Sequence, residues 1–183
     1  MLNEVTLAGF GGQGIMTTGK FLAEAALGKD LEVAWVPSYG PEMRGGTAYC
    51  TVVVSDRPVG SPIVNNPNII VAMNRPSYDK FEPMVKSGGL LLINSSLMDV
   101  KSDRTDIIQV QIPCNQISID LSGTGRSANI AVLGALIGAS GILPYETIEE
   151  VVTRKFAKKP KVLDINLKIL RKGYELGVEA AKG

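Results

Sequence analysis

Residues Gly9-Phe10-Gly11-Gly12-Gln13-Gly14 form the first pattern in the chain with chemical content. Glycines at this spacing allow a tight turn with positive φ and let a ligand approach the backbone closely. The free N–H groups and dipole of a helix that begins there favour an anion, typically a phosphate. Gln13 adds a polar amide at the helix mouth, placed to hydrogen-bond a ligand or a facing loop. The plainer reading is that the glycines only let the helix pack closely on the preceding strand. A second segment, Pro37 to Gly46, holds three glycines and two prolines in ten residues. It is stiff and presents Tyr39, Glu42 and Arg44. The Arg44 guanidinium offers a planar fork for phosphate or carboxylate. An Arg44–Glu42 surface pair on an ordinary loop is the alternative.

What the chain lacks narrows the chemistry. It has no histidine, so the commonest general base and metal ligand is missing, and a Ser-His-Asp or Cys-His mechanism cannot be built from it. Its two cysteines, Cys50 and Cys114, form no CxxC pair, which argues against an iron–sulfur cluster or zinc site held by this chain alone. Two unpaired thiols suit a reducing cytosol, so a cytoplasmic location is expected. The net charge of +1 gives no bulk reason to expect nucleic acid or an anionic membrane as partner. The start Met-Leu-Asn-Glu-Val-Thr-Leu has no basic segment before an apolar core, so no secretory signal is expected. The GxGxxG pattern admits a dinucleotide, but that site also needs an acidic residue ending the second strand to hold the ribose. Glu32 stands at the beginning of that strand instead, and the strand ends in Trp35-Val36-Pro37-Ser38.

These segments need elements to position them. Val5 to Ala8 reads as a buried first strand, followed by the glycine turn and a helix over Ile15 to Leu27 closed by Gly28. Glu32 to Val36 is a second strand stopped by Pro37, and Thr47 to Val54 a third. Further strands are expected at 68–73, 90–93 and 107–112, with a short helix opened by Pro76. From Pro113 onward the chain reads as helical, with helices over Ser127–Ala139, Tyr145–Phe156 and Pro160 to about Lys182. Ala128 to Leu143 is too short to span a bilayer and reads as a buried helix. The 183 residues fit one domain, 1–183. The expected fold is α/β: a Rossmann-like, open, largely parallel sheet flanked by helices, with a helical C-terminal third. Strand order places the second loop at the same carboxyl edge as the glycine turn, where open α/β sheets bind ligands.

Gly9-Phe10-Gly11-Gly12-Gln13-Gly14 followed by Ser38-Tyr39-Gly40-Pro41-Glu42-Met43-Arg44-Gly45-Gly46 resembles the gamma subunit, or gamma domain, of the 2-oxoacid:ferredoxin oxidoreductases. Arg126 and Asn129, before Gly134-Ala135-Leu136, resemble a third signature of that family, and Asn166 within Leu163–Leu167 a fourth. The loop looks most like that of the 2-oxoglutarate members, although pyruvate and branched-chain members have similar loops. The resemblance implies a multisubunit enzyme that converts a 2-oxoacid and coenzyme A into acyl-CoA, carbon dioxide and reduced ferredoxin. It implies thiamine diphosphate on alpha and beta subunits, 4Fe-4S clusters in beta or delta subunits, and contact with ferredoxin only through them. The gamma chain would serve assembly and active-site contact, including coenzyme A, and would be inactive in isolation. Gly9, Gly11, Gly12, Gln13, Gly14, Tyr39, Glu42, Met43, Arg44, Gly45, Gly46 and Asn129 are the residues expected at that contact, with no catalytic residue and no metal ligand. They could equally pack on the alpha and beta subunits and shape the pocket from outside. A free-standing coenzyme A- or nucleotide-binding protein is the competing function.

Other features read more plainly. Ala131, Gly134, Ala135, Gly138 and Ala139 leave one side of the apolar helix small, for close packing of another helix or of a subunit. Asn129 is either a ligand or loop clamp or a helix-terminal cap. Asn166 falls among leucines and needs partners, most simply in a loop. Arg154, Lys155, Lys158, Lys159 and Lys161 read as a solvated face. Cys114 stands at a helix start, where a thiol pKa can fall. An interface built for partners leaves the isolated chain open to self-association.

Overall fold

A computed structural model describes residues 1–39 and 47–183. Its centre is one six-stranded sheet in the order β2-β3-β1-β4-β5-β6. The strands are β1 (Leu2–Phe10), β2 (Glu32–Tyr39), β3 (Thr47–Ser55), β4 (Ile69–Ala72), β5 (Leu90–Asn94) and β6 (Ile108–Ile112). β1, β4, β5 and β6 pair in parallel, while β3 lies antiparallel between β1 and β2. All strands except β3 therefore run the same way. The sheet is mixed, and the expectation of a largely parallel α/β sheet holds with β3 as its exception.

The strand sequences explain the two-sided burial. Leu90, Leu92, Ile69, Val71, Val5 and Leu7 face one core; Leu91, Ile93, Ile70, Ala72 and Ala8 face the other. Near-continuous apolar runs are what a sheet covered on both faces requires. The cover is unequal. The first face carries α1 (Ile15–Leu27), α3 (Cys114–Ser122), α4 (Ala128–Ser140), α5 (Tyr145–Phe156) and α6 (Pro160–Ala180), and the second carries α2 (Arg75–Phe81). Burying this apolar surface supplies the main drive to fold, about 25 cal/mol per Å².

Several boundaries differ from expectation for physical reasons. β2 does not stop at Pro37 but runs to Tyr39, with Pro37 opposite Cys50. β2 is an edge strand, where a missing N–H costs no ladder bond on the open side. Gly28 ends α1 in the right-handed region, and the left-handed residue is Asp30, with φ 56°. Pro76 stands in the first turn of α2, as expected, but the cap is Asn74, whose side chain accepts from the Ser77 N–H.

The apolar stretch from Ala128 forms α4, which buries all of Ile130 to Ile137. A helix hydrophobic all round is a core helix. Its small side meets α6: a Cβ on Gly134 or Gly138 would run into the backbone of Leu170 or Tyr174, and one on Gly173 or Gly177 into that of Ala131 or Ala135. The small residues thus serve packing inside the chain. Asn166 does not tie a loop. Its amide donates to the Val162 carbonyl of its own helix at 2.9 Å, and its Oδ1 is buried without a partner among the described residues. No described helix is long and apolar enough to cross a membrane.

Candidate functional site

The carboxyl ends of the parallel strands share one edge of the sheet. β1 ends at Phe10 and β2 at Tyr39, and β3 begins beside both at Thr47 and Ala48. The chain leaves β1 for α1 on one face and β4 for α2 on the other. Neighbouring parallel strands whose connections diverge leave a crevice between them, the usual ligand position in such sheets. The glycine turn stands at that crevice.

Each glycine of the turn has its own account. A Cβ on Gly9 would lie 2.7 Å from Gln13 Oε1, so Gly9 makes room for the glutamine carbonyl. Gly12 and Gly14 have φ of 91° and 74°, a region glycine enters without steric cost. A Cβ on Gly14 would also press on Asn129, 2.8 Å from its Cβ and Cγ. Gly11 has neither constraint: a Cβ there meets nothing within 4 Å. Close packing thus explains part of the turn, and nothing in the described chain explains Gly11.

Gln13 folds back over the turn. Its Oε1 accepts from the Phe10 N–H at 2.6 Å and from Asn74 Nδ2 at 3.0 Å. Gln13 borders a cavity of about 440 Å³ shared with Gly12, Asn115, Thr124, Arg126 and Asn129. The wall therefore draws on the β1 turn, the start of α3, the short 3-10 turn Gly125–Ser127, and the start of α4. Arg126 is exposed at the rim. Asn129 lies in the first turn of α4, against Gly14, and the N-cap position is held by Ser127 instead. Its main-chain carbonyl accepts from Thr18 Oγ1 at 3.5 Å.

The structure thus brings Gly12, Gln13, Gly14 and Asn129 together, with Gly9 behind them and Gly11 at the exposed tip of the turn. Tyr39 is 68% exposed at the same sheet edge. Glu42, Met43, Arg44, Gly45 and Gly46 lie outside the described residues. Sequence reading overlooked Asn74, Asn94 and Asn115. The first two carried a readable signal, because each follows a purely apolar strand at its carboxyl end, Ile69-Ile70-Val71-Ala72-Met73 and Leu90-Leu91-Leu92-Ile93. A polar amide directly after such a run sits at the ligand edge of a parallel sheet.

Neither thiol lines this cavity. Burial pushes Cys50 up to about 12, and it raises Cys114 as well despite its place at a helix start. Both are wholly buried. A native chain at pH 8 will leave a thiol reagent unreacted over minutes, and guanidinium will release two thiols per chain, as a colorimetric thiol count checks. The basic residues around Pro160 are exposed, as a solvated face requires, and Arg154 reaches Glu24 at 3.8 Å.

Comparison with known proteins gives a consistent picture. The family pattern described as pyruvate ferredoxin/flavodoxin oxidoreductase matches residues 4–176. Ketoisovalerate oxidoreductase subunit VorA of Methanothermobacter marburgensis is 42% identical over 174 residues, 94% of this chain but 36% of that protein. The chain thus spans about a third of the first relatives it matches. 2-Oxoglutarate synthase subunit KorC of Methanocaldococcus jannaschii is 36% identical over 181 residues, 98% of this chain and 96% of that one. Among solved structures, the gamma subunit of a keto/oxoacid ferredoxin oxidoreductase from Geobacter sulfurreducens superposes with a TM-score of 0.87 at 27% identity, covering 98% of both chains. 2-Oxoglutarate:ferredoxin oxidoreductase from Magnetococcus marinus, solved with 2-oxoglutarate, coenzyme A and succinyl-CoA bound, superposes at 0.85 with 28% identity over 99% of this chain and 31% of that one.

Proposed function

The chain belongs to the pyruvate ferredoxin/flavodoxin oxidoreductase family, as a gamma-type member, and from that premise we propose that it works as the gamma subunit of a 2-oxoglutarate:ferredoxin oxidoreductase. The observation that carries this reading is the full-length match to separate KorC subunits, joined to a donor-rich cavity at the ligand edge of the sheet. The assembled enzyme would turn 2-oxoglutarate, coenzyme A and oxidised ferredoxin into succinyl-CoA, carbon dioxide and reduced ferredoxin. Alpha, beta and delta subunits would hold thiamine diphosphate and the 4Fe-4S clusters. Thiamine diphosphate supplies the carbanion chemistry and the clusters carry the electrons. The present chain contains no histidine, and no group of cysteines or acids able to hold a metal occurs among the described residues. Its part is binding and positioning, so the isolated chain is expected to be inactive.

Coenzyme A is the ligand this chain is best equipped to touch. Its phosphates need N–H donors, and the Gln13 amide, the exposed backbone at Gly11 and Gly12, and the Arg126 guanidinium supply them. Glu42, Met43, Arg44, Gly45 and Gly46 would join them from the second loop with Tyr39. Arg44 would add a charge-assisted fork. A second substrate reading has support of its own. The higher identity to VorA, over about a third of that protein, supports 2-oxoisovalerate as the alternative substrate.

Purification of the tagged chain from its native cells tests both levels. The eluate is expected to contain thiamine-diphosphate and iron–sulfur subunits and to reduce a low-potential dye with coenzyme A and 2-oxoglutarate. Faster turnover of 2-oxoisovalerate or pyruvate would move the substrate assignment. A chain recovered alone and inactive under gentle conditions would overturn the subunit role and leave a free-standing coenzyme A- or nucleotide-binding protein.

A further inference from the structure

We infer that Asn74 and Asn94 are positioning residues that hold the Gln13 and Asn115 amides with their NH2 groups toward the cavity, so that it presents donors and takes an oxyanion. The inference deepens the reading of this cavity as a ligand contact and rests on it. The two asparagines are 4% and 0% exposed, at the carboxyl ends of the adjacent parallel strands β4 and β5.

An amide's orientation is ordinarily assigned from its partners. Here the partners leave no choice, because a backbone N–H can only donate. Asn94 Oδ1 accepts from the Cys114 N–H at 3.1 Å and the Ser96 N–H at 3.4 Å. Its Nδ2 must then face Asn115, and it donates to Asn115 Oδ1 at 2.8 Å. The Asn115 NH2 is turned the other way, toward Gly125, whose Cβ would lie 3.3 Å from Asn115 Nδ2. Gly125 and Asn115 both line the cavity.

Asn74 repeats the arrangement one strand over. Its Oδ1 accepts from the Ser77 N–H at 3.0 Å, capping α2, and its Nδ2 donates to Gln13 Oε1 at 3.0 Å. The Phe10 N–H donates to the same Gln13 oxygen at 2.6 Å, so that oxygen faces inward. Each buried asparagine thus passes the polarity of a backbone N–H through two amides to the cavity wall. Reversing either outer amide would set two donors against each other inside the protein and orphan a buried group. With Arg126 at the rim, the cavity offers N–H donors from several elements. Phosphate esters and carboxylates share the chemistry that fits.

The test is an NMR titration of the full chain, following the Gln13 and Asn115 side-chain NH2 signals. Inorganic pyrophosphate and 2-oxoglutarate are added in separate arms, so that phosphate and carboxylate sources are told apart. Both NH2 signals are expected to move together and saturate with at least one anion. Asn74→Asp keeps the cap, since aspartate caps as well as asparagine, but sets a carboxylate oxygen against Gln13 Oε1. At pH 8 it is expected to weaken the anion at least tenfold and to regain affinity as pH falls and the new carboxyl, now an O–H donor, is protonated. A merely structural role would not produce that pH profile. Gln13→Glu keeps both inward bonds and puts an acceptor into the cavity, and it is expected to weaken binding without change in thermal midpoint. Silence of both amides toward both anions, or anion affinity in Asn74→Asp equal to that of the unaltered chain at every pH, would overturn the inference. Neither readout needs partner subunits, so its failure is distinct from failure of the subunit assignment.

Discussion

Replacing Gly134 with alanine will lower the stability of the chain by about 2–3 kcal/mol, at the upper end of ordinary overpacking. Two effects oppose each other. Alanine is the better helix former by about 1 kcal/mol in a helix interior. Against that, the new methyl would meet the main-chain carbonyl of Leu170 and lie 2.9 Å from the Tyr174 nitrogen. Both belong to α6, and neither is a side-chain tip that can swing aside. The methyl can be seated only if α4 and α6 move apart along a contact that also includes Gly138, Gly173 and Gly177. Separation loosens dispersion contacts along the whole seam, so the loss exceeds the propensity gain. The thermal midpoint should fall by about 5–10 °C, on the usual scale for a chain of this size. Gly28→Ala is the matched control. Gly28 has φ −65°, and its Cβ would come no closer than 3.4 Å to Ala25 O. That substitution should stabilise by about 0.4–1 kcal/mol through the unfolded chain. A Gly134→Ala chain as stable as its parent would mean that the two helices do not pack backbone to backbone.

The same seam shows what was legible in the sequence. The small residues of α4 were visible as a pattern, and close approach of another helix followed from it. The identity of that helix did not, because Gly173 and Gly177 lie on a separate segment that reads as an ordinary amphipathic helix. The strands were legible for a stronger reason. Runs such as Leu90-Leu91-Leu92-Ile93 have no polar face, are too short for a core helix and are bounded by turn residues, which is the pattern of central strands. The antiparallel insertion of β3 was not legible, since Thr47–Ser55 has the same β-branched character in either direction. For the site, glycine spacing identified the turn, and GxGxxG alone could not say which glycine answers to which constraint. The asparagine pairs were hidden more deeply. Asn74 and Asn94 act through hydrogen bonds to residues 61 and 21 positions away, and no local pattern encodes those distances.

Gly14→Ala will damage the site most. Alanine at φ 74° pays about 1–2 kcal/mol for a left-handed backbone. Its methyl would also stand 2.8 Å from Asn129 Cβ and Cγ, atoms close to the α4 backbone rather than at a flexible end. Relief requires either the turn or the start of α4 to shift, and the cavity wall is built from both. The Gly14 carbonyl also accepts from the Thr18 N–H at 2.9 Å and Thr18 Oγ1 at 3.0 Å, so a rotated turn frays the first turn of α1. A loss of about 2–3 kcal/mol in denaturant unfolding is expected, together with weakened binding of pyrophosphate by the chain. Gly11→Ala separates the two effects. It meets no atom within 4 Å and has no positive φ, so stability should stay within about 0.5 kcal/mol. Any loss of turnover in the assembled enzyme at Gly11 then reports on something outside this chain that approaches the turn. If Gly11→Ala keeps full turnover while Gly14→Ala fails, the turn matters through the shape it gives the cavity, and close approach to its tip is not required.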